Sequence, residues 1–222
     1  YYLSAGFVPD ENCLIKGINK LSPGCGMTIN VDSRVMKKWK YWDIPTYSEE
    51  NRKARTEKDL LYELEVKLDK SVSNQLISSD VPIGVLLSGG VDSSLITAMA
   101  SRHVGKVKTF TVRFPGHKKY DETDHARLIS QYFDTDHHEL IAENPSIDIL
   151  NKLAWQFDEP IMDPSMIPTF LLSKLVQKHC KVALGGDGGD ELFGGYSHYS
   201  RLLKLEIISK VLPRFLKNKI AA

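Results

Sequence analysis

The chain has 222 residues, 42% of them hydrophobic and 26% charged, with a net charge of +1. That is room for one α/β domain with a sizeable core and a fragment of another, and the interleaved charges argue against a nucleic-acid groove. No apolar run reaches membrane-spanning length, and the irregular spacing of Cys13, Cys25 and Cys180 fits neither a disulfide framework nor a zinc site, so a reducing cytoplasm is the expected compartment.

The chain starts at Tyr1 and reads as a piece of something longer. Tyr2–Pro9 and Ile15–Gly24 are short, turn-punctuated segments. Met27–Val31 and Val35–Trp39 predict a hairpin around Asp32-Ser33. Beyond a polar linker at Ser48–Arg55, Thr56 and Asp59 form a capping-box-like pair. Leu60, Leu64, Leu68, Val72 and Leu76 then recur every four residues, the stripe of a helix facing a core. Trp39, Trp42 and Trp155 are expected to be packing residues.

Pro82–Leu87 is a buried strand by its Val, Ile and Leu content. It runs into Ser88-Gly89-Gly90-Val91-Asp92-Ser93-Ser94, and Leu95, Ile96, Met99 and Ala100 continue with helical spacing. A strand turning through glycines into a helix start points several free N–H groups at one place, where the helix dipole favours negative charge. Phosphate is the usual guest of such a cradle. There is no lysine of the G-x-x-x-x-G-K-[ST] kind and no G-x-G-x-x-G. Asp92 reads either as a Mg²⁺ ligand, since a carboxylate beside a triphosphate needs a cation between them, or as an N-cap.

Strands at Val107–Phe114 and His137–Ile141 alternate with helices at about Asp121–Phe133, through Leu150–Trp155 and at Ile167–His179. The alternation predicts a doubly wound parallel α/β sheet. His137 and His138 are strand neighbours facing opposite ways, so a structural role is expected of them. Asp121, Glu122 and Asp124 read as caps and dipole partners. Asp163 and Ser165 stand between Pro160 and Pro168, either within reach of a triphosphate or as a helix lead-in capped by Ser165.

A last short strand, Lys181–Leu184, precedes a second loop, Gly185-Gly186-Asp187-Gly188-Gly189-Asp190-Glu191-Leu192-Phe193-Gly194-Gly195-Tyr196, with six glycines and three carboxylates. That density lets backbone approach a ligand closely. If the two glycine-flanked strands are neighbours, Asp92 and Asp190 converge on one crevice, a pair suited to Mg²⁺. The stretch Leu202–Leu216 is amphipathic and broken by Pro213.

Ser88–Ser94 resembles the pyrophosphate loop of the N-type ATP pyrophosphatases, with their adenine nucleotide alpha-hydrolase-like fold. The second loop, with Asp158-Glu159-Pro160 and Asp163–Thr169, resembles the glutamine-dependent asparagine synthetase family over nearly the whole chain. Residues 1–45 resemble the end of that family's Ntn-type glutaminase domain, and 46–222 its ATP-pyrophosphatase domain, truncated at the C-terminus. The resemblance implies that aspartate and ATP form an acyl-adenylate and pyrophosphate. Ammonia from glutamine then displaces AMP to give asparagine.

By the same resemblance, Ser88, Gly89, Gly90, Ser93, Ser94 and Gly185 hold ATP and pyrophosphate, and backbone at Leu86, Val112 and Gly186 reads adenine. Asp92 and Asp190 bind Mg²⁺, and Asp187 stands near the reacting centre as a catalytic residue. The family has Ser where this chain has Gly185, and its downstream lysine and aspartate-binding region are absent. Partners are small molecules, with no nucleic acid and no membrane, and the resemblance admits a homodimer of a full-length parent. Two other readings are an amidotransferase for another carboxylate, such as a polysaccharide uronic acid, and a non-catalytic nucleotide-binding module.

Overall fold

The computed structural model describes residues 2–9, 11–45, 55–113, 115–116, 121–142, 147–157 and 159–211. Linker residues 48–54, Phe114, Asp158 and the helix end at 212–216 with Pro213 lie outside the described residues. In chain order the elements are α1 (Tyr2–Ala5), β1 (Cys25–Ile29), β2 (Met36–Lys40), α2 (Glu57–Ile77), β3 (Ile83–Leu86), α3 (Val91–His103) and β4 (Lys108–Arg113). There follow α4 (Thr123–Tyr132), β5 (Asp136–Ile141), α5 (Ile147–Phe157), α6 (Met166–Val176), β6 (Val182–Leu184), α7 (Gly189–Phe193) and α8 (Ser197–Val211). They fall into two compact units, Tyr1–Glu65 with Glu143–Lys174 and Val66–Ala142 with Leu175–Ala222.

In the second unit β3, β4, β5 and β6 form one parallel sheet in the order β5-β4-β3-β6. Strands are added on one side of β3 until β5 and then on its other side, so the connections diverge between β3 and β6. That is the switch point of a doubly wound sheet, where ligands are bound beyond the carboxyl ends of the strands. The expected neighbouring of the two glycine-flanked strands is borne out by the pairing of Val85 with Leu184.

The sheet forms here because its central strands are buried on both faces, the apolar β3 beside a β4 whose buried Thr109 and Thr111 flank Phe110. Val85 and Phe110 are 0% and 1% exposed. Gly84 is part of that fit, since a Cβ there would stand 2.4 Å from the Phe110 ring. The core joins Val72, Val85, Met99, Ala100, Val107 and Leu184, flanked by Leu68, Leu76, Ile83, Leu95 and Ile96. Each fully buried Val or Leu is worth about 1.5–3 kcal/mol of transfer free energy.

The helix carrying the four-residue stripe starts as the sequence predicts, with the Asp59 N–H bonding the Thr56 hydroxyl at 3.2 Å and the Thr56 N–H returning to the Asp59 carboxylate at 3.2 Å. The stripe reaches the core only from Leu68 onward, and Leu60 is 45% exposed. A helix of 21 residues is far longer than the four-residue strand β3, so only its later turns have sheet to pack on.

Buried Thr109 explains one of the histidines. Its hydroxyl lies 2.9 Å from His137 Nδ1 and 2.7 Å from the Thr135 hydroxyl. His138 turns the other way and stacks on Phe110, ring centroids 5.3 Å apart. The Asp121 carboxylate accepts the Thr123 N–H at 3.2 Å in front of α4, whereas Glu122, the N-cap residue, makes no side-chain cap bond.

In the first unit β1 and β2 pair antiparallel from Cys25↔Lys40 to Ile29↔Met36, two residues earlier and one later than the sequence pattern indicates. The turn is held by the Ser33 N–H on Asn30 Oδ1 at 2.8 Å. Trp39 lies over Gly26, where a Cβ would meet its ring at 2.5 Å. The tryptophans are not core residues: Trp42 is 56% and Trp155 85% exposed. Aromatic content alone does not decide burial, because a ring can equally cover a surface. Ahead of α6 the Asp163 carboxylate accepts the Ser165 N–H at 2.8 Å, and the Ser165 hydrogen bonds hold its carboxyl below the ordinary range, while the Ser165 carbonyl accepts the Thr169 N–H at 2.9 Å as the helix starts.

Candidate functional site

Beyond β3 the backbone is fixed by bonds to β4. The Leu87 N–H donates to the Phe110 carbonyl at 2.8 Å, and the Thr111 hydroxyl donates to the Leu87 carbonyl. The chain then turns at Gly89, whose φ of +84 suits glycine, with a virtual Cβ 2.5 Å from His125 Cβ and 2.7 Å from the Ala126 nitrogen. Ser88 and Ser93 close the loop on itself. The Ser88 N–H bonds Ser93 Oγ at 3.2 Å, the two hydroxyls are 2.9 Å apart, and the Gly90 N–H bonds Ser88 Oγ at 3.2 Å.

The helix α3 begins with Gly90 as its N-cap, without a side-chain cap bond, and Asp92 in its first turn. The N-cap alternative for Asp92 is therefore removed. The first bond of the helical series is Ser94 N–H to the Gly90 carbonyl at 3.0 Å, so the preceding N–H groups are those a helix start leaves for a ligand. The Ser94 hydroxyl is buried and has no hydrogen-bond partner among the described residues. Such a group costs free energy unless something else satisfies it.

The second loop meets the first at glycines. A Cβ on Gly186 would stand 2.9 Å from Asp92 Cβ and 2.9 Å from the Ser93 nitrogen. One on Gly189 would stand 2.5 Å from Asp92 Cγ. Gly188 and Gly194 have φ of +90 and +70 and flank the five-residue helix α7. Asp187 folds over Gly185, its Oδ2 2.7 Å from a virtual Cβ there, and the Asp190 carboxylate lies over Gly195.

Leu86 and Val112 are near the carboxyl ends of β3 and β4, and Gly185 and Gly186 just past the end of β6. These three strands are adjacent, so the residues named from the sequence for ATP share one sheet edge. Gly189 was absent from that set. Its sign in the sequence is only the glycine run, which does not say which glycine faces Asp92. The Tyr196 hydroxyl donates to Glu191 Oε1 at 2.8 Å, and that carboxylate pushes the phenol up to about 12. Among the described residues no group of three or more His, Cys, Asp or Glu forms a metal centre, and no helix is long and apolar enough to cross a membrane.

Asp163 and Ser165 belong to the first unit. They line, with Trp155, Phe157, Ile161 and Phe170, a cavity of about 910 Å³ between α5 and α6.

Residues 63–221 match the family model described as asparagine synthase. A Methanocaldococcus jannaschii protein provisionally named glutamine-hydrolysing asparagine synthetase 2 is 35% identical over 219 residues, covering 97% of this chain and 41% of that protein. Glutamine-hydrolysing asparagine synthetase 1 of Bacillus subtilis is 34% identical over 222 residues, covering 99% of this chain and 34% of its own. The chain thus spans between a third and two fifths of the length of these relatives. Among solved structures, an NH₃-dependent NAD synthetase from Campylobacter jejuni in complex with the nitrate ion aligns with 61% of this chain and 60% of its own, at 16% identity and a TM-score of 0.40. With a family model covering most of its length and full-length matches above 30% identity, the chain belongs to the asparagine synthase family.

Proposed function

We propose that this chain is the ATP-binding, adenylating part of a glutamine-dependent amidotransferase whose acceptor is aspartate and whose product is asparagine. Residues 1–45 are read as the end of an ammonia-supplying glutaminase domain, and 46–222 as the ATP-pyrophosphatase domain. The observation that carries the reading is the meeting of two glycine loops at the β3/β6 switch point, with Gly186 and Gly189 both against Asp92.

In the reaction, an oxygen of the acceptor carboxylate attacks the α-phosphorus of ATP. The bond to the β-phosphate bridging oxygen breaks, and its electron pair leaves with pyrophosphate. Ammonia nitrogen then attacks the acyl carbon, AMP departs, and a proton is lost from nitrogen to give the amide. In this reading the N–H groups at Gly89 and at the α3 start beyond Gly90, with the unpartnered Ser94 hydroxyl, hold the leaving pyrophosphate, while the Gly90 N–H is kept by Ser88 Oγ. Ser88 and Ser93 hold the loop in shape through their mutual bond. Backbone at Leu86, Val112, Gly185 and Gly186 frames the nucleotide, and Asp187 stands near the acceptor.

Asp92 and Asp190 offer the carboxylate oxygens that suit Mg²⁺, and neither carboxylate has a hydrogen-bond or ion-pair partner among the described residues. Mg²⁺ bound there supplies neutralisation of the charge that builds on pyrophosphate. No protein nucleophile is needed, since positioning and charge neutralisation carry such a reaction.

Titration calorimetry with Mg·ATP on the chain and on its Asp92→Ala and Asp190→Ala forms tests the site, with affinity expected to fall in both. Equal affinities sink the metal assignment. In a full-length parent, ADP in place of AMP ends the adenylation reading. AMP formed with a uronic acid but not with aspartate replaces the acceptor and leaves the site standing.

A further inference from the structure

Along β4 the backbone groups of successive residues point to opposite neighbours. The Val107 and Arg113 carbonyls accept the Asp136 and Ala142 N–H groups at 2.8 and 3.0 Å, so the odd-numbered residues face β5. Phe110, whose carbonyl accepts the Leu87 N–H at 2.8 Å, faces β3. Val112 comes next on that side and is half-buried, and a ladder continued past Leu86 and Phe110 gives its N–H the Leu87 carbonyl. Among the described residues that bond is not made. The Leu87 carbonyl instead accepts the hydroxyl of the buried Thr111.

The exchange of partners follows from where the chain leaves the sheet. Gly89 is pressed on α4, so the backbone peels away from β4 directly after Leu87. Side chains stand roughly perpendicular to a sheet, so a β4 hydroxyl meets the Leu87 carbonyl only where that carbonyl has turned out of the ladder. Without the hydroxyl, the carbonyl of a residue 1% exposed is left unpaired, and the donor next along the strand is the Val112 N–H. Closing that bond is cheaper than leaving a buried acceptor empty. An extended residue offers its N–H and C=O side by side. The pair matches adenine, which accepts at N1 and donates from N6, and opposes guanine, which donates from N1 and accepts at O6.

We infer that Thr111 is a positioning residue for base selection: by occupying the Leu87 carbonyl, its hydroxyl keeps the Val112 N–H and carbonyl open for adenine. The inference rests on the function proposed above, in which Val112 backbone frames the nucleotide. Thr111 acts through Val112 and not on ATP itself. Losing its hydroxyl lets the Val112 N–H close on Leu87, which takes away the donor for adenine N1 and leaves the phosphate cradle at Ser88–Ser94 in place.

Titration calorimetry on the full chain compares Mg·ATP, Mg·GTP and magnesium triphosphate in the wild type, in Thr111→Val and in Thr111→Ser. Thr111→Val keeps the shape and lacks the hydroxyl, and its ratio of ATP to GTP affinity is expected to fall about tenfold, the size of one ordinary hydrogen bond. Inorganic triphosphate has no base and should bind every form alike, and Thr111→Ser should keep the wild-type ratio. An unchanged ratio in Thr111→Val, a serine form as impaired as the valine form, or triphosphate binding lost with the ratio overturns the inference. Amide hydrogen exchange on the wild type gives a reading that needs no variant to fold. The Val112 N–H should exchange faster than that of Phe110, and should slow with Mg·ATP but not with magnesium triphosphate. A Val112 N–H already protected without nucleotide overturns the inference as well. A wild-type chain that binds no nucleotide, or binds ATP and GTP equally, overturns the function beneath it, and is told apart by failing before any variant is compared.

Discussion

Asp92 and Gly189 belong to loops almost a hundred residues apart in sequence, yet a methyl group on Gly189 would stand 2.5 Å from the Asp92 Cγ and 2.6 Å from its Oδ2. Only hydrogen fits there. The first turn of α3 and the start of α7 are thus locked through one carboxylate, which places Asp92 where both glycine loops end.

Gly189→Ala should therefore disturb the site more than the fold. Overpacking of this kind costs about 1–3 kcal/mol, and a swing of the Asp92 carboxylate is the easiest relief. The expected result is weaker binding of Mg·ATP in calorimetry, with a loss of stability in urea unfolding within that range. Unaltered ATP affinity would show that Asp92 is not held for the nucleotide.

Gly89→Ala should act on the fold itself. The backbone there has φ +84, and the added carbon meets His125 Cβ and the Ala126 nitrogen, neither of which can rotate away. A destabilisation of about 2 kcal/mol or more is expected from strain and overpacking together. Gly105→Ala is the control, since nothing lies within 4 Å of a Cβ there and its φ is outside the left-handed region. Urea unfolding followed by circular dichroism should separate the two clearly.

His137 should make folding sensitive to acid. Burial holds its imidazole below the ordinary 6.5, against the smaller opposing pull of Glu139, and its Nε2 is buried with no partner among the described residues. The unfolded chain then binds more protons than the folded one below pH 6.5. Its contribution to stability is complete above that value, falls as pH drops through it toward the folded value, and is flat below both. His137→Asn should flatten the slope of unfolding free energy against pH in this window. A slope that persists would assign the proton uptake to another group.

The Tyr196 phenol should titrate late. The Glu191 carboxylate at 2.8 Å raises it from the ordinary 10 to about 12, and Glu191→Gln should bring its midpoint back toward 10 in an ultraviolet absorbance titration. Because the folded value is the raised one, the bond's contribution is complete below pH 10 and disappears as pH climbs through the folded value. A midpoint that does not move would mean that the hydrogen bond does not persist in solution.

The local rules of the chain were enough for its elements. The apolar run at Pro82–Leu87 fixes the central strand β3, Thr56 and Asp59 write the start of α2, and glycine beside serine announces the phosphate turn at Ser88–Ser94, because each of these depends on residues within a few positions of one another. The alternation of strand and helix carried the parallel sheet for the same reason. Edges were less legible: the hairpin shifted by one or two residues, since a two-stranded ribbon on the surface has little burial to hold its register.

Contacts between distant residues were decided by the tertiary structure alone. Leu60 falls outside the core, Trp155 is exposed, and Lys20 finds Glu159. Above all, the sequence shows six glycines in the second loop but not that Gly186 and Gly189 are the two facing Asp92. Residue types state which chemistry a loop can perform. Which atom lies against which is settled only when β6 pairs with β3 and brings the two loops to the same end of the sheet, because close packing leaves room for hydrogen and not for carbon at those points.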